Sequence, residues 1–275
     1  MDSSNQRLNH KPYGELVEPP FDKLRARNIT LSSLVLMTAV YSTVYADCPV
    51  FTDGAPEAVD KIVDGDTLNL TDGTKVRLAG IDTPELGRGQ QVEAPLAQDA
   101  KHLLERIVTT DGQRVRLEPS QEASDHYGRR IAHVYTTNGR NINEQLLRAG
   151  LALGYARPPS LEHLDCYRAA EEVARNQHLG LWSVPPLSAN TVADGTKGFV
   201  RMQGIVHQVN QTHKSVWIEL GKRVALRVAK EDMPLFSKFN FAALKGSSLE
   251  ARGYLYTYQG KLQMRIRHPA DILTP

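Results

Sequence analysis

The sequence predicts a mainly β (α+β) chain, with a small β-barrel carrying about three helices followed by a second small β-barrel. Three observations lead there. From Glu57 to Tyr135, runs that alternate apolar and polar residues are separated by short turns, with one helical spacing between them. The stretch VPPLSANTVADGTK at 184–197 is rich in Pro, Ser, Asn and Gly and has no periodicity. Beyond it, five strand-like runs with one helical piece crowd into the remaining chain, which suits a compact OB-type barrel. The expected divisions are 1–46 as an export segment, 47–184 as the first domain, 185–197 as a linker and 198–275 as the second domain.

Each element has a local reason. AVDKIVDGDTLNL alternates as a strand pair, and the Thr-Asp-Gly-Thr turn at 71–74 leads into KVRLAGI as a hairpin. APLAQDAKHLLERI at 94–107 spaces Leu96, Ala100, Leu103, Leu104 and Ile107 as one helix face. QRVRLEP and RIAHVYT read as strands around the turn-rich SQEASDHYG. NINEQLLRAG reads as a helix closed by Gly150, and a third helix fits 160–178. FVRMQGIVHQVN, SVWIELG, RVALRVA, LEARGYLYTYQG and KLQMRIRH are the later strands, with a helical piece around MPLFSKF.

Composition bounds the class without naming a function. The 275 residues are 41% hydrophobic and 23% charged, ordinary for a globular protein with room for a real core. Net charge is only +2, yet Lys197 to Pro275 holds 13 Lys and Arg against 5 Asp and Glu. That basic end favours a polyanion partner, although solvated surface lysines produce the same bias. Lys23, Arg25 and Arg27 precede the uncharged run ITLSSLVLMTAVYSTVYA at 29–46. A basic region, an apolar stretch and a small residue at the cut read as a secretory signal cleaved after Ala46. An uncleaved membrane anchor and a buried helix are the other readings of that run. The long region before it contains ELVEPPFDKLRAR, which resembles repeat-derived sequence translated from an over-extended start. Cys48 and Cys166 are the two cysteines, and they read either as a bridge in an oxidising compartment or as two unrelated thiols.

Three short motifs carry chemistry. DGDT at 64–67, DTPE at 82–85 and DHYGRR at 125–130 each read alone as a turn, a helix start or an arginine-bearing loop. Together they supply different groups. Asp66 and Asp82 offer carboxylates, and the turn after Asp82 a carbonyl, to a hard cation. Arg77 and Arg129 suit bidentate phosphate contact. Glu85 is left as a carboxylate to activate or orient water.

In this order DGDT, VRLAGIDTPE, DHYGRRIA, INEQLLRAGLA and LGLWS resemble the staphylococcal nuclease (thermonuclease) family over about residues 57–184. The ordered set is specific where any one motif is weak. The resemblance implies a five-stranded OB-fold barrel with three helices, and a calcium-dependent, extracytoplasmic nuclease acting on DNA and RNA to give 3′-phosphate products. Position by position it implies Asp66, Asp82 and the Thr83 carbonyl for calcium, and Arg77 and Arg129 for phosphate. It implies Glu85 as general base or water-positioning group, with Tyr127 and Tyr155 beside the nucleotide and Asp64 behind the metal ligands. His126 stands where the family more often has lysine, and GRGQQVEAP after Glu85 carries one cation, Arg88. LGYARPP is shorter than the family's stretch around Tyr155. The expected location is periplasmic or secreted, with no stable membrane association after cleavage and no obligate protein partner. The competing reading is an idle extracytoplasmic nucleic-acid-binding module, and a third is a protein-interaction scaffold of two barrels. In the second barrel, Tyr254, Tyr256 and Tyr258 share one strand face and read as a stacking platform or as core. Trp217, Phe236, Phe239 and Phe241 read as core.

Overall fold

The computed structural model describes residues 47–273 apart from 88, 90 and 91. The expected export segment and the loop cation Arg88 therefore lie outside the described residues. Strands β1 (Glu57–Asp64), β2 (Thr67–Leu70) and β3 (Lys75–Leu78) form an antiparallel meander. A two-residue strand β4 (Ile81–Asp82) and helix α1 (Ala97–Thr110) precede β5 (Arg114–Ser124) and β6 (Arg130–Tyr135). These close a five-stranded barrel in the order β1-β2-β3-β6-β5, with β3 and β6 parallel. Helix α2 (Ile142–Arg148), strand β7 (Leu153–Gly154) and helix α3 (Leu164–Asn176) complete this part, and β7 pairs with β4.

Strand periodicity explains an arginine in an apolar run. In β3, Val76 and Leu78 face the core at 0% and 1% exposure, so Arg77 between them faces away from it. Helix α1 begins three residues later than the 94–107 expectation, with Leu96 in the left-handed region as its N-cap. Its inward face is Ala97, Ala100, Leu104 and Val108, spaced three or four apart. Helix α2 starts where the Asn141 side chain accepts the Glu144 N–H at 2.8 Å. It ends before Gly150, whose positive φ and close approach to the Leu179 carbonyl leave no room for a Cβ. Cys48 and Cys166 form a disulfide that ties the start of the described chain to α3.

The second barrel repeats the connection pattern of the first. Strand β8 (Leu187–Ser188) leads to β9 (Gly198–Gln211), β10 (Ser215–Leu220) and β11 (Val224–Ala229). β12 (Ser248–Tyr258), β13 (Lys261–Arg265) and β14 (Ile272–Leu273) follow. The closed order is β9-β10-β11-β13-β12, again with one parallel pair, β11 with β13. The segment expected as a linker is partly built into this barrel. Leu187 pairs with Met202, and Ala189 and Val192 are buried in its core. The apolar residues of this stretch are too irregularly spaced to form a periodic pattern, so the sequence hid that role. Phe236, Phe239 and Phe241 pack in or against the core, as expected. Trp217 does not: it lies half-buried outside the core with the Arg227 guanidinium 5.8 Å from its ring.

The barrels meet through a small core of Leu153, Ala174 and Trp182, with Leu181, Phe199 and Leu273 against it. Beside it Arg252 of β12, 1% exposed, pairs with Glu171 of α3 and lies 3.6 Å from Asp271. Among the described residues no helix is long and apolar enough to cross a membrane.

Candidate active site

The β2–β3 hairpin and the β4 turn bring the two predicted carboxylates onto one guanidinium. Thr67 faces Arg77 across the β2–β3 ladder, which sets Asp66 beside it. Arg77 Nη1 lies 2.7 Å from Asp66 Oδ2, and Nη2 donates to Asp82 Oδ1 at 2.7 Å. Burial works against the charge on Arg77, but Asp66 and Asp82 outweigh it and hold the guanidinium firmly protonated.

The DTPE segment is not a helix start. The Thr83 N–H and hydroxyl both donate to Asp66 Oδ2, at 2.8 and 3.0 Å, and residues 83–87 run as irregular chain. The capping chemistry expected within the segment is spent across the barrel instead. Thr83 is buried, and the chain then carries Glu85 out to an exposed position. The Glu85 carbonyl accepts the Ala94 N–H at 3.0 Å, which closes the loop at its base.

Arg129 arrives from the turn before β6. Its Nε donates to Asp125 Oδ2 at 2.6 Å, and Asp125 Oδ1 accepts the backbone N–H groups of Tyr127 and Arg129. Partial burial opposes the Asp125 charge, yet the Arg129 hydrogen bonds prevail and hold its carboxyl below the usual range. Tyr127 is 73% exposed, and its ring lies 5.5 Å from the Arg129 guanidinium and 3.8 Å from His126. Arg77, Glu85, Tyr127, Arg129 and Tyr155 line one cleft of about 590 Å³. A second groove of about 410 Å³ holds Asp64, Asp66, Glu85 and Arg129 together with Lys197 and Gly198 of the second barrel.

The structure thus brings together every predicted site residue, but with two differences from the sequence reading. Arg77 spans Asp66 and Asp82 rather than standing clear for a phosphate. Tyr155 packs at 5.1 Å against Phe199 and 5.6 Å against Tyr254, both from the second barrel. Three residues near the cleft were not assigned to it from the sequence. Asp125 opens the quoted DHYGRR motif and was legible there as the residue that ties the turn. Lys197 was read only as the start of the basic end and Tyr254 only as part of the tyrosine row, since tertiary packing alone connects them to this cleft.

Among the described residues no group of three or more His, Cys, Asp or Glu is arranged for a metal ion. The donor chemistry nonetheless suits a hard divalent cation. Asp66, Asp82 and the Thr83 carbonyl are oxygen donors, and Asp64 and Glu85 add negative charge that Arg77 alone does not balance. Burial, with Asp66 beside it, pushes Asp64 up to about 6. Burial pushes Asp82 up to about 7 against the pull of Arg77.

A barrel of this connectivity, with paired carboxylates and two arginines beside one cleft, gathers groups suited to a hard cation and to phosphate. The comparisons narrow this to a family. The family model described as "Staphylococcal nuclease homologue" matches residues 75–184. The chain is 31% identical over 129 residues to the thermonuclease of Staphylococcus hyicus, covering 46% of this chain and 74% of that protein. It is also 31% identical over 129 residues to two proteins of Bacillus subtilis (strain 168), the SPbeta prophage-derived endonuclease YokF and the endonuclease YncB. Each of those matches covers 46% of this chain, but the chain spans only 43% of YokF and 60% of YncB. The chain belongs to the staphylococcal nuclease family. The matched segment starts within β3, so Asp66 lies outside it and is joined to the site by its bonds to Arg77 and Thr83.

Proposed function

We propose that this protein is a calcium-dependent nuclease, periplasmic or secreted, that hydrolyses phosphodiester bonds of DNA and RNA and leaves 3′-phosphate ends. One observation carries the reading: Glu85, Arg77 and Arg129, from three separate segments, line a single cleft within a nuclease-family fold. In the proposed reaction Glu85 takes a proton from a water molecule whose oxygen attacks phosphorus in line with the 5′ oxygen. The P–O5′ bond breaks, and the 5′ hydroxyl leaves with a proton from solvent. Arg129, tethered by Asp125, and Arg77 stabilise charge on the non-bridging oxygens. A calcium ion held by Asp66, Asp82 and the Thr83 carbonyl would supply further electrostatic stabilisation of that charge. Tyr127 offers an exposed ring to a base.

The location rests on separate support. The Cys48–Cys166 disulfide suits an oxidising compartment, and the 29–46 run reads as a secretory signal. Mass spectrometry of the exported chain should give Asp47 as its first residue, and a mature form retaining Met1 would contradict it.

An idle nucleic-acid-binding module is favoured by one feature, the engagement of both Arg77 amino groups by carboxylates. The wild type separates the two readings: cleavage that chelation abolishes supports the nuclease, whereas DNA binding without cleavage supports the idle module. Near-native calcium-dependent cleavage by Glu85→Ala would remove Glu85 from the mechanism.

A further inference from the structure

The second barrel reaches into the site described above. Tyr254, on β12, donates its hydroxyl to Asp82 Oδ1 at 2.6 Å across a sequence separation of 172. The same oxygen accepts Arg77 Nη2. With Oδ1 held by two donors, the carboxylate cannot turn about its Cβ–Cγ bond without breaking both. The Tyr254 ring is itself fixed edge-on, with its centroid 5.2 Å from Phe199 and 5.6 Å from Tyr155.

A second set of contacts holds the same ribbon. Asp82 lies on β4, which pairs Asp82 with Leu153 and Ile81 with Gly154 of β7. The Gly154 N–H donates to Glu171 Oε1 at 2.8 Å, and Glu171 Oε2 accepts from the buried Arg252 of β12. Gly154 has no side chain to obstruct this, and a Cβ there would meet Arg252 Nη2 at 3.2 Å. Arg252 and Tyr254 lie two residues apart on β12, so one strand grips both Asp82 and the strand paired with it.

We propose that the nuclease site is composite, and that Tyr254 of the second barrel is a positioning residue that fixes the Asp82 carboxylate for cation binding. The assignment rests on the calcium-site reading given under Proposed function. Partners that orient a metal ligand through its other contacts commonly carry roughly 10- to 100-fold in metal affinity. Tyr254→Phe removes the hydroxyl and keeps the ring against Phe199 and Tyr155.

The test is calorimetric titration of calcium into the full, disulfide-bonded chain without nucleic acid, paired with melting curves in chelator. Tyr254→Phe should weaken calcium binding about tenfold while its melting temperature in chelator stays with the wild type. Tyr256→Phe, which loses a hydroxyl that reaches Gln263 within the second barrel, should bind calcium as the wild type does. Unchanged or tighter calcium binding by Tyr254→Phe overturns the assignment. So does a Tyr254→Phe chain that fails to fold, because a hydroxyl acting on Asp82 alone is dispensable for packing. A wild type that binds calcium yet cleaves nothing sinks the nuclease reading and leaves the affinity comparison standing. A wild type that binds no calcium sinks both.

Discussion

Arg129 shows how a single residue is made ready for its task. Its Nε is held by Asp125, whose other oxygen is held by the turn's own backbone, so the guanidinium is fixed in advance for the phosphate contact proposed for it. Preorganised charge of this kind is worth about 10²–10³ in turnover per donor. Arg129→Ala should therefore lower kcat by about that factor. Its melting temperature should change little, because the residue is only partly buried at the rim of the barrel. Steady-state cleavage and a thermal melt on the same preparation check both halves. Asp66, Asp82 and Arg129 were legible in the sequence because each sits in a short motif at a strand junction, and Arg77 because it interrupts an apolar strand. What the sequence could not give is that Arg77 bonds both carboxylates, since that geometry depends on β4 folding back over the hairpin.

At the scale of elements, the seam between β6 and α3 carries a pH dependence of its own. His133 on β6 is 1% exposed, donates or accepts at the Tyr167 hydroxyl, and faces His163, Glu118 and Glu162. Burial, with His163 next, lowers it to about 4 in spite of the two glutamates. The unfolded chain thus takes up this proton near pH 6.5 while the folded chain resists it until about pH 4. The stability from a neutral His133 is full above pH 6.5 and falls away as pH drops toward 4, by roughly 2–3 kcal/mol. Urea unfolding from pH 7.5 to 4.5 should show it as the difference between the wild type and His133→Gln, because the raised Asp64, Asp82 and Asp271 act with the opposite sign over the same range. The disulfide is the other fastener here. Closing a loop of sequence separation 118 should contribute about 2–5 kcal/mol, so Cys48→Ser lowers stability by that amount and spares the cleft. Barrel strands and helices were readable from periods of 2 and 3.6, whereas Thr83-Pro84 misled because its cap is taken by Asp66 in another strand. Strand β8 was unreadable for a different reason. Two residues are too few to show any period.

At the scale of the whole described molecule, two barrels of one connectivity are joined by a charged knot rather than by an open hinge. Arg252, Glu171 and Asp271 are each at most 5% exposed, and burial pushes Asp271 up to about 7 despite Arg252. Arg252→Met strands two buried acids and should cost roughly 3–5 kcal/mol, read as a shift in the urea midpoint. The sequence pointed to two barrels but not to their joint, because no local pattern links position 252 to 171 or 254 to 82. The proposed activity requires above all that the cleft be a calcium-dependent hydrolytic site. The most direct measurement is a calcium-titrated cleavage assay on single-stranded DNA with end-group analysis of the products. Cleavage should rise with calcium, stop on chelation and leave 3′-phosphate and 5′-hydroxyl ends. Cleavage unaffected by chelation, or products bearing 5′-phosphates, would contradict it.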